Sequence, residues 1–113
     1  MAKSKIPNPL ARRHQIQGDL SNAQATQTAL AYLEAGRAVE AVDYLRKAGD
    51  AERLGAVRTQ AIESGDVFLL RSVATAMEAP IERDEWRRTA EAAAAAGKDE
   101  YATESRRQAE REE

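Results

Sequence analysis

Six of the nine glycines and prolines of this 113-residue chain fall at near-regular intervals, and this spacing constrains the fold more than any other feature of the sequence. The intervals are 18, 13, 16, 15 and 17 residues, each long enough for one helix of three to four turns and a short turn. The residues at these breaks are Gly18, Gly36, Gly49, Gly65, Pro80 and Gly97. A glycine just past a helix end supplies the left-handed residue that closes the helix. The spacing therefore predicts a series of short helices.

Residues suited to cap a helix precede several of these segments. Asn8 followed by Pro9 is typical of a first helix start, and Ser21 or Asn22 is suited to cap the second. Asp50 and Asp66 occupy the same place before two later segments. The caps and the breaks thus predict the same helix boundaries.

Apolar residues recur at helical spacing within the segments, and no segment alternates β-branched and polar residues as a strand does. The predicted buried stripes are Ala25, Ala29, Tyr32 and Leu33 in residues 22–35; Ala38, Ala41, Val42, Leu45 and Ala48 in 37–48; Leu54, Val57, Ala61 and Ile62 in 50–64; and Val67, Phe68, Leu70, Val73, Ala74 and Met77 in 66–79. The predicted fold class is therefore all-α.

The last two segments carry weaker stripes. Residues 82–96 offer Trp86, Ala90 and Ala93, whereas residues 99–113 offer few apolar side chains among many charges. We therefore expect a final helix that is exposed, frayed near its end, or supported by a neighbouring molecule.

Short loops between the six to seven predicted helices favour antiparallel neighbours. We expect a basic N-terminal arm over residues 1–7, a single helical-repeat domain over 8–97 and a charged C-terminal helix over 98–113. Residues 1–18 carry four bases and no acid, and residues 98–113 carry six acids and four bases. Both charged ends are typical of solvated segments, although a basic arm also suits an acidic partner or a membrane surface.

Residues 29–48, which read ALAYLEAGRAVEAVDYLRKA, closely resemble a tetratricopeptide repeat. That family places small residues where two helices cross and large apolar or aromatic residues beside the crossing. The matching residues are Ala29, Tyr32, Gly36, Ala41, Leu45 and Ala48. The good motif covers residues 22–48, and the next hairpin is degenerate, with Leu70 and Met77 where the family has alanine. The resemblance implies a helical-hairpin solenoid or a right-handed superhelical array.

The resemblance also implies a function, because the first helix of each such hairpin lines a groove that takes a peptide or a helix. The residues that would form this surface here are Thr26, Gln27, Leu30 and Glu34. Leu30 lies off the main apolar stripe of its helix, so it either faces a partner or packs beneath the N-terminal helix. The sequence thus favours a non-catalytic adaptor or scaffold that binds a protein or peptide.

The alternative function is a self-associating structural subunit of a larger complex, since a short solenoid leaves an exposed terminal face. Phe68, Leu69 and Trp86 are the apolar residues that would form such a homo-oligomer contact. Trp86 fits either the core beside Ala90 and Ala93 or an interface anchor, because large aromatic residues dominate binding hot spots.

The sequence supplies no catalytic, metal-binding or cofactor-binding constellation. It has no cysteine, which excludes disulfides and thiolate sites and fits a reducing cytoplasm. His14 is the sole histidine, and clustered acids such as Asp84 lie beside arginines such as Arg88 as in a solvated helix face. We therefore predict that the protein is not an enzyme.

Binding to nucleic acid and insertion into a membrane are not predicted either. The net charge is −2, and the isolated glycines form no phosphate-binding loop. No apolar run approaches the roughly 18 residues needed to span a bilayer. The basic residues Lys3 and Lys5 are not followed by the apolar stretch of a secretory signal, so we expect a cytoplasmic protein.

Overall fold

The computed structural model describes residues 21–111, and every regular element in that range is an α-helix. The helices are α1 (Asn22–Glu34), α2 (Ala38–Ala48), α3 (Ala51–Ser64), α4 (Val67–Met77), α5 (Arg83–Ala95) and α6 (Asp99–Arg111). The all-α prediction is confirmed for the described residues. The predicted arm over residues 1–7, the helix after Asn8 and the residue His14 lie outside them.

The helix ends follow the predicted capping residues. The Ser21 hydroxyl accepts the Gln24 backbone N–H at 3.2 Å, and the Gln24 side chain accepts the Ser21 N–H at 3.2 Å. Asp50 and Asp66 each accept the backbone N–H three residues on, at 3.1 and 3.0 Å. Gly49 closes α2 in the left-handed conformation at φ 67°. These capping bonds satisfy backbone groups that have no partner within the helix because they lie at its end.

The first of two compact units, Met1–Leu54, contains α1 and α2, which pack against each other. Alanines on both helices are fully buried where they meet, which lets the two helix axes approach closely. The rings of Tyr32 and Tyr44 stack with centroids 5.5 Å apart, and the Arg37 guanidinium lies 5.1 Å from the Tyr32 ring centroid. Tyr44 was not among the predicted core residues, yet it is fully buried.

The second compact unit, Gly55–Glu113, contains most of α3 and all of α4, α5 and α6. Its largest buried apolar side chains are Val57, Ile62, Val67, Leu69, Leu70, Val73 and Trp86. Leu69, predicted to lie in an exposed contact with Phe68, is buried. Phe68, predicted both for that contact and for the buried stripe, is 59% exposed, so its place in the stripe was wrong. The division of the chain into the domains 8–97 and 98–113 stays a prediction.

Small residues dominate the packing of α5 against α6. Ala93 of α5 is fully buried, and so is Ser105 of α6. Ala102 and Ala109 of α6 are nearly so. The thin stripe of the last segment therefore suffices to pack it within this unit.

The end of α3 also lies close to α5. Gly65, at φ 67°, ends α3 so near Ala93 that a Cβ atom at position 65 would overlap the Ala93 backbone.

Candidate functional site

The face of α1 predicted from the resemblance lies opposite the buried stripe of the same helix. Gln27, Leu30 and Glu34 are exposed and Thr26 is half-buried, whereas Ala29 is fully buried. The four predicted residues share one helix face, because positions three and four apart are neighbours on a helix surface. The structure thus brings all four together.

Leu30 is the feature that makes this face unusual. Its side chain is 38% exposed, and among the described residues only Phe68 is another exposed large hydrophobic side chain. Glu34, one turn beyond Leu30, makes no ion pair with a described residue. Interfaces combine an apolar core with a polar rim, so an exposed leucine among polar residues is compatible with a binding surface. The alternative, that Leu30 packs beneath the N-terminal helix, falls on residues outside the described range.

Trp86 is not part of an exposed surface. Its side chain is 4% exposed, and the Arg71 guanidinium lies 5.4 Å from its ring centroid. Arg71 also forms an ion pair with Glu104 at 2.6 Å, which links α4 to α6. The interpretation of Trp86 as a core residue fits this burial. A role of Trp86 in binding a partner stays a prediction.

A second site, which the sequence analysis missed, centres on Arg58 of α3. Its guanidinium donates to both carboxylate oxygens of Glu85, at 2.8 and 2.7 Å. It also donates to the backbone oxygens of Ala79 and Pro80, at 2.8 and 3.0 Å. Arg58 therefore ties α3 to the α4–α5 loop and to the first turn of α5. We call these four residues the arginine clamp.

The electrostatics of the arginine clamp favour its charged form. The hydrogen bonds from Arg58 hold the pKa of the Glu85 carboxyl below its ordinary value, against the opposing effect of desolvation. The same bonds raise the pKa of the Arg58 guanidinium. The Glu82 backbone N–H also donates to Glu85 at 3.0 Å. Both charges are thus well paired, and this arrangement stabilises the fold without offering a reactive group.

The sequence does contain a signal for Arg58. It lies four residues after Leu54 and four before Ile62, so it falls on the predicted buried stripe of its helix. An arginine on such a stripe needs a buried partner, because an unpaired charge is costly to desolvate. Its partner Glu85 is 27 residues away in sequence and could not be identified from local spacing.

Within residues 21–111, no three His, Cys, Asp or Glu side chains converge as a metal site, and no helix there has the length and apolarity to cross a membrane. The predicted ion pair of Asp84 with Arg88 is present at 3.7 Å. No protein-family model matches the sequence, and comparisons with curated proteins and with solved structures find no significant match.

Proposed function

We propose that this protein is a non-catalytic interaction module that binds a protein or peptide through the α1 face formed by Thr26, Gln27, Leu30 and Glu34. The observation that carries the proposal is the 38% exposure of Leu30 on an otherwise polar face. A partner that covered this leucine would gain apolar burial, and Glu34 would add an electrostatic contact at the rim.

The α1–α2 hairpin supports a tetratricopeptide-like reading of this module. Ala29, Tyr32, Ala41 and Leu45, which match the family's pattern, are all buried between the helices or nearly so. In that family the first helix of each hairpin lines the groove that takes a peptide or a helix, and Leu30 would lie on that side here. The absence of cysteine suits a module that works in the cytoplasm.

The experiment is an affinity capture from the native cell with the wild-type protein and a Leu30→Asp variant, followed by mass spectrometry. A carboxylate at this position would place a charge against an apolar partner surface, so recovery of the partner should fall at least tenfold. Circular dichroism must show the same helical content for both proteins. Unchanged recovery would refute the α1 face as the binding surface.

Self-association is the second candidate function, and the 59% exposure of Phe68 favours it. A Phe68→Asp variant is the matched control for Leu30→Asp, because it too replaces an exposed apolar residue by a carboxylate. Light scattering at high micromolar concentration distinguishes the two functions. An oligomer that Phe68→Asp dissociates would support self-association, and a monomeric wild type would exclude it.

A further inference from the structure

An open cleft lies in the second unit, between the last two turns of α4 and the loop that follows. Its volume is about 530 Å³. The residues that line it are Arg71, Ala74, Thr75, Glu78, Ala79, Pro80 and Ile81. Four of the seven lining residues are apolar, and two of them, Arg71 and Glu78, are charged.

One wall of the cleft is held in place by the arginine clamp. Arg58 donates to the backbone oxygens of Ala79 and Pro80, two residues that line the cleft. The loop therefore does not need to become ordered when something binds, which lowers the entropic cost of binding. The cleft is preformed on this side.

The lining of the cleft carries one cation, Arg71, and one anion, Glu78. Arg71 is paired with Glu104 at 2.6 Å, a carboxylate that Arg107 also pairs at 3.2 Å, and it lies over the ring of Trp86. Glu78, by contrast, makes no ion pair with a described residue, and its backbone sits at φ 53° just past the end of α4. The carboxyl end of a helix carries the negative end of its dipole. Glu78 and the end of α4 thus present negative charge without a cation of their own.

The surrounding unit has the same sign. Residues 55–113 contain thirteen Asp and Glu against nine Lys and Arg. A basic partner is therefore attracted to this unit at long range and meets Glu78, which pairs with no described cation, at the cleft.

We propose that the cleft binds a short peptide segment of a partner protein in which a lysine or arginine adjoins an aliphatic side chain. The aliphatic side chain packs on Ala74, Ala79 and Ile81, and the cationic group pairs with Glu78 at the end of α4. The cleft and the α1 face share no residue, so each can be tested by its own variants.

The test is a titration of the ¹⁵N-labelled protein with a blocked synthetic peptide of sequence Leu-Lys-Leu-Lys. We expect saturable chemical-shift changes at the amides of Thr75, Ala79 and Ile81 as the peptide reaches millimolar concentration. A Glu78→Gln variant should weaken binding by about threefold to fivefold, the effect of one exposed ion pair. A peptide with glutamate in place of lysine should leave these amides unchanged.

Two variants keep the test specific. Glu110→Gln removes an exposed carboxylate elsewhere in the same unit and should bind the Leu-Lys peptide as the wild type does. Leu30→Asp should also bind it normally, which separates this proposal from that of the α1 face. The proposal is overturned if the cleft amides do not shift or do not saturate. It is equally overturned if Glu78→Gln and Glu110→Gln weaken binding alike.

Discussion

Replacing Arg58 by methionine keeps an unbranched apolar stem on α3 but removes the four hydrogen bonds of the arginine clamp. The Glu85 carboxylate would then stay largely buried without its cation. Removing one partner of a buried ion pair costs about 3–5 kcal/mol. The Arg58 and Glu85 side chains are 10% and 18% exposed, so water reaches them in part. We therefore expect the lower end, about 3 kcal/mol of the free energy of unfolding.

The assay is urea unfolding followed by the fluorescence of Trp86, the sole tryptophan, which is buried in the same unit as the clamp. The matched control is Arg88→Met. Its ion pair with Asp84 joins side chains that are 58% and 81% exposed, so the expected loss is below about 0.5 kcal/mol. If the two variants lose similar stability, the clamp does not stabilise the unit as described here.

A double variant, Arg58→Met with Glu85→Met, tests the physical reason for this loss. The carbonyl of the exposed Pro80 can be hydrated, so the main cost of the single variant is the isolated Glu85 charge. Removing that charge should recover about 1–2 kcal/mol. A double variant no more stable than Arg58→Met would show that the carboxylate is not the source of the cost.

Three further predictions follow from the same packing and charges. Gly65→Ala should destabilise the protein by more than about 2 kcal/mol, because the new Cβ would overlap the Ala93 backbone. Gly49→Ala has the same φ but open space around it, so it should cost about 1 kcal/mol. Thermal unfolding of both variants measures the difference. Ser105→Ala should raise the free energy of unfolding by up to about 1 kcal/mol, because the fully buried Ser105 hydroxyl makes no hydrogen bond with a described residue. A lower free energy of unfolding for this variant would contradict the prediction. The pKa of Glu85 is lowered in the folded protein, so the ionised carboxylate stabilises the fold at pH values above its unfolded-state pKa. This stabilisation should disappear as the pH falls through the folded-state pKa. Urea unfolding at each pH should therefore show the difference in free energy of unfolding between wild type and Glu85→Gln becoming smaller on acidification.

Local spacing predicted those parts of the fold that depend on one helix at a time. The stripe through Ala25, Ala29 and Tyr32 could be identified because each residue repeats at helical spacing, and all three are buried. Tyr44 was missed because it adjoins Leu45 at the edge of a stripe, where its burial depends on stacking against Tyr32.

Features that join distant segments could not be predicted in the same way. Phe68 and Leu69 are adjacent apolar residues, and which of the two faces solvent is decided by how α4 packs in its unit rather than by its own sequence. Trp86 fitted both a core and an interface, and the choice depends on α4 and on Arg71, fifteen residues earlier. Leu30 was identified because its position off the stripe is a property of α1 alone.

Site-specific photo-crosslinking at Leu30 determines whether the α1 face contacts a partner. A benzophenone amino acid placed at this position should, on illumination in the native cell, join the protein to a discrete partner. The same amino acid at Phe68, the other exposed apolar position, is the control and should not form that adduct. A discrete adduct from position 30 alone is the predicted result. No adduct from position 30, or an adduct from position 68 to a second copy of the chain, would contradict the claim that the protein binds a partner through the α1 face.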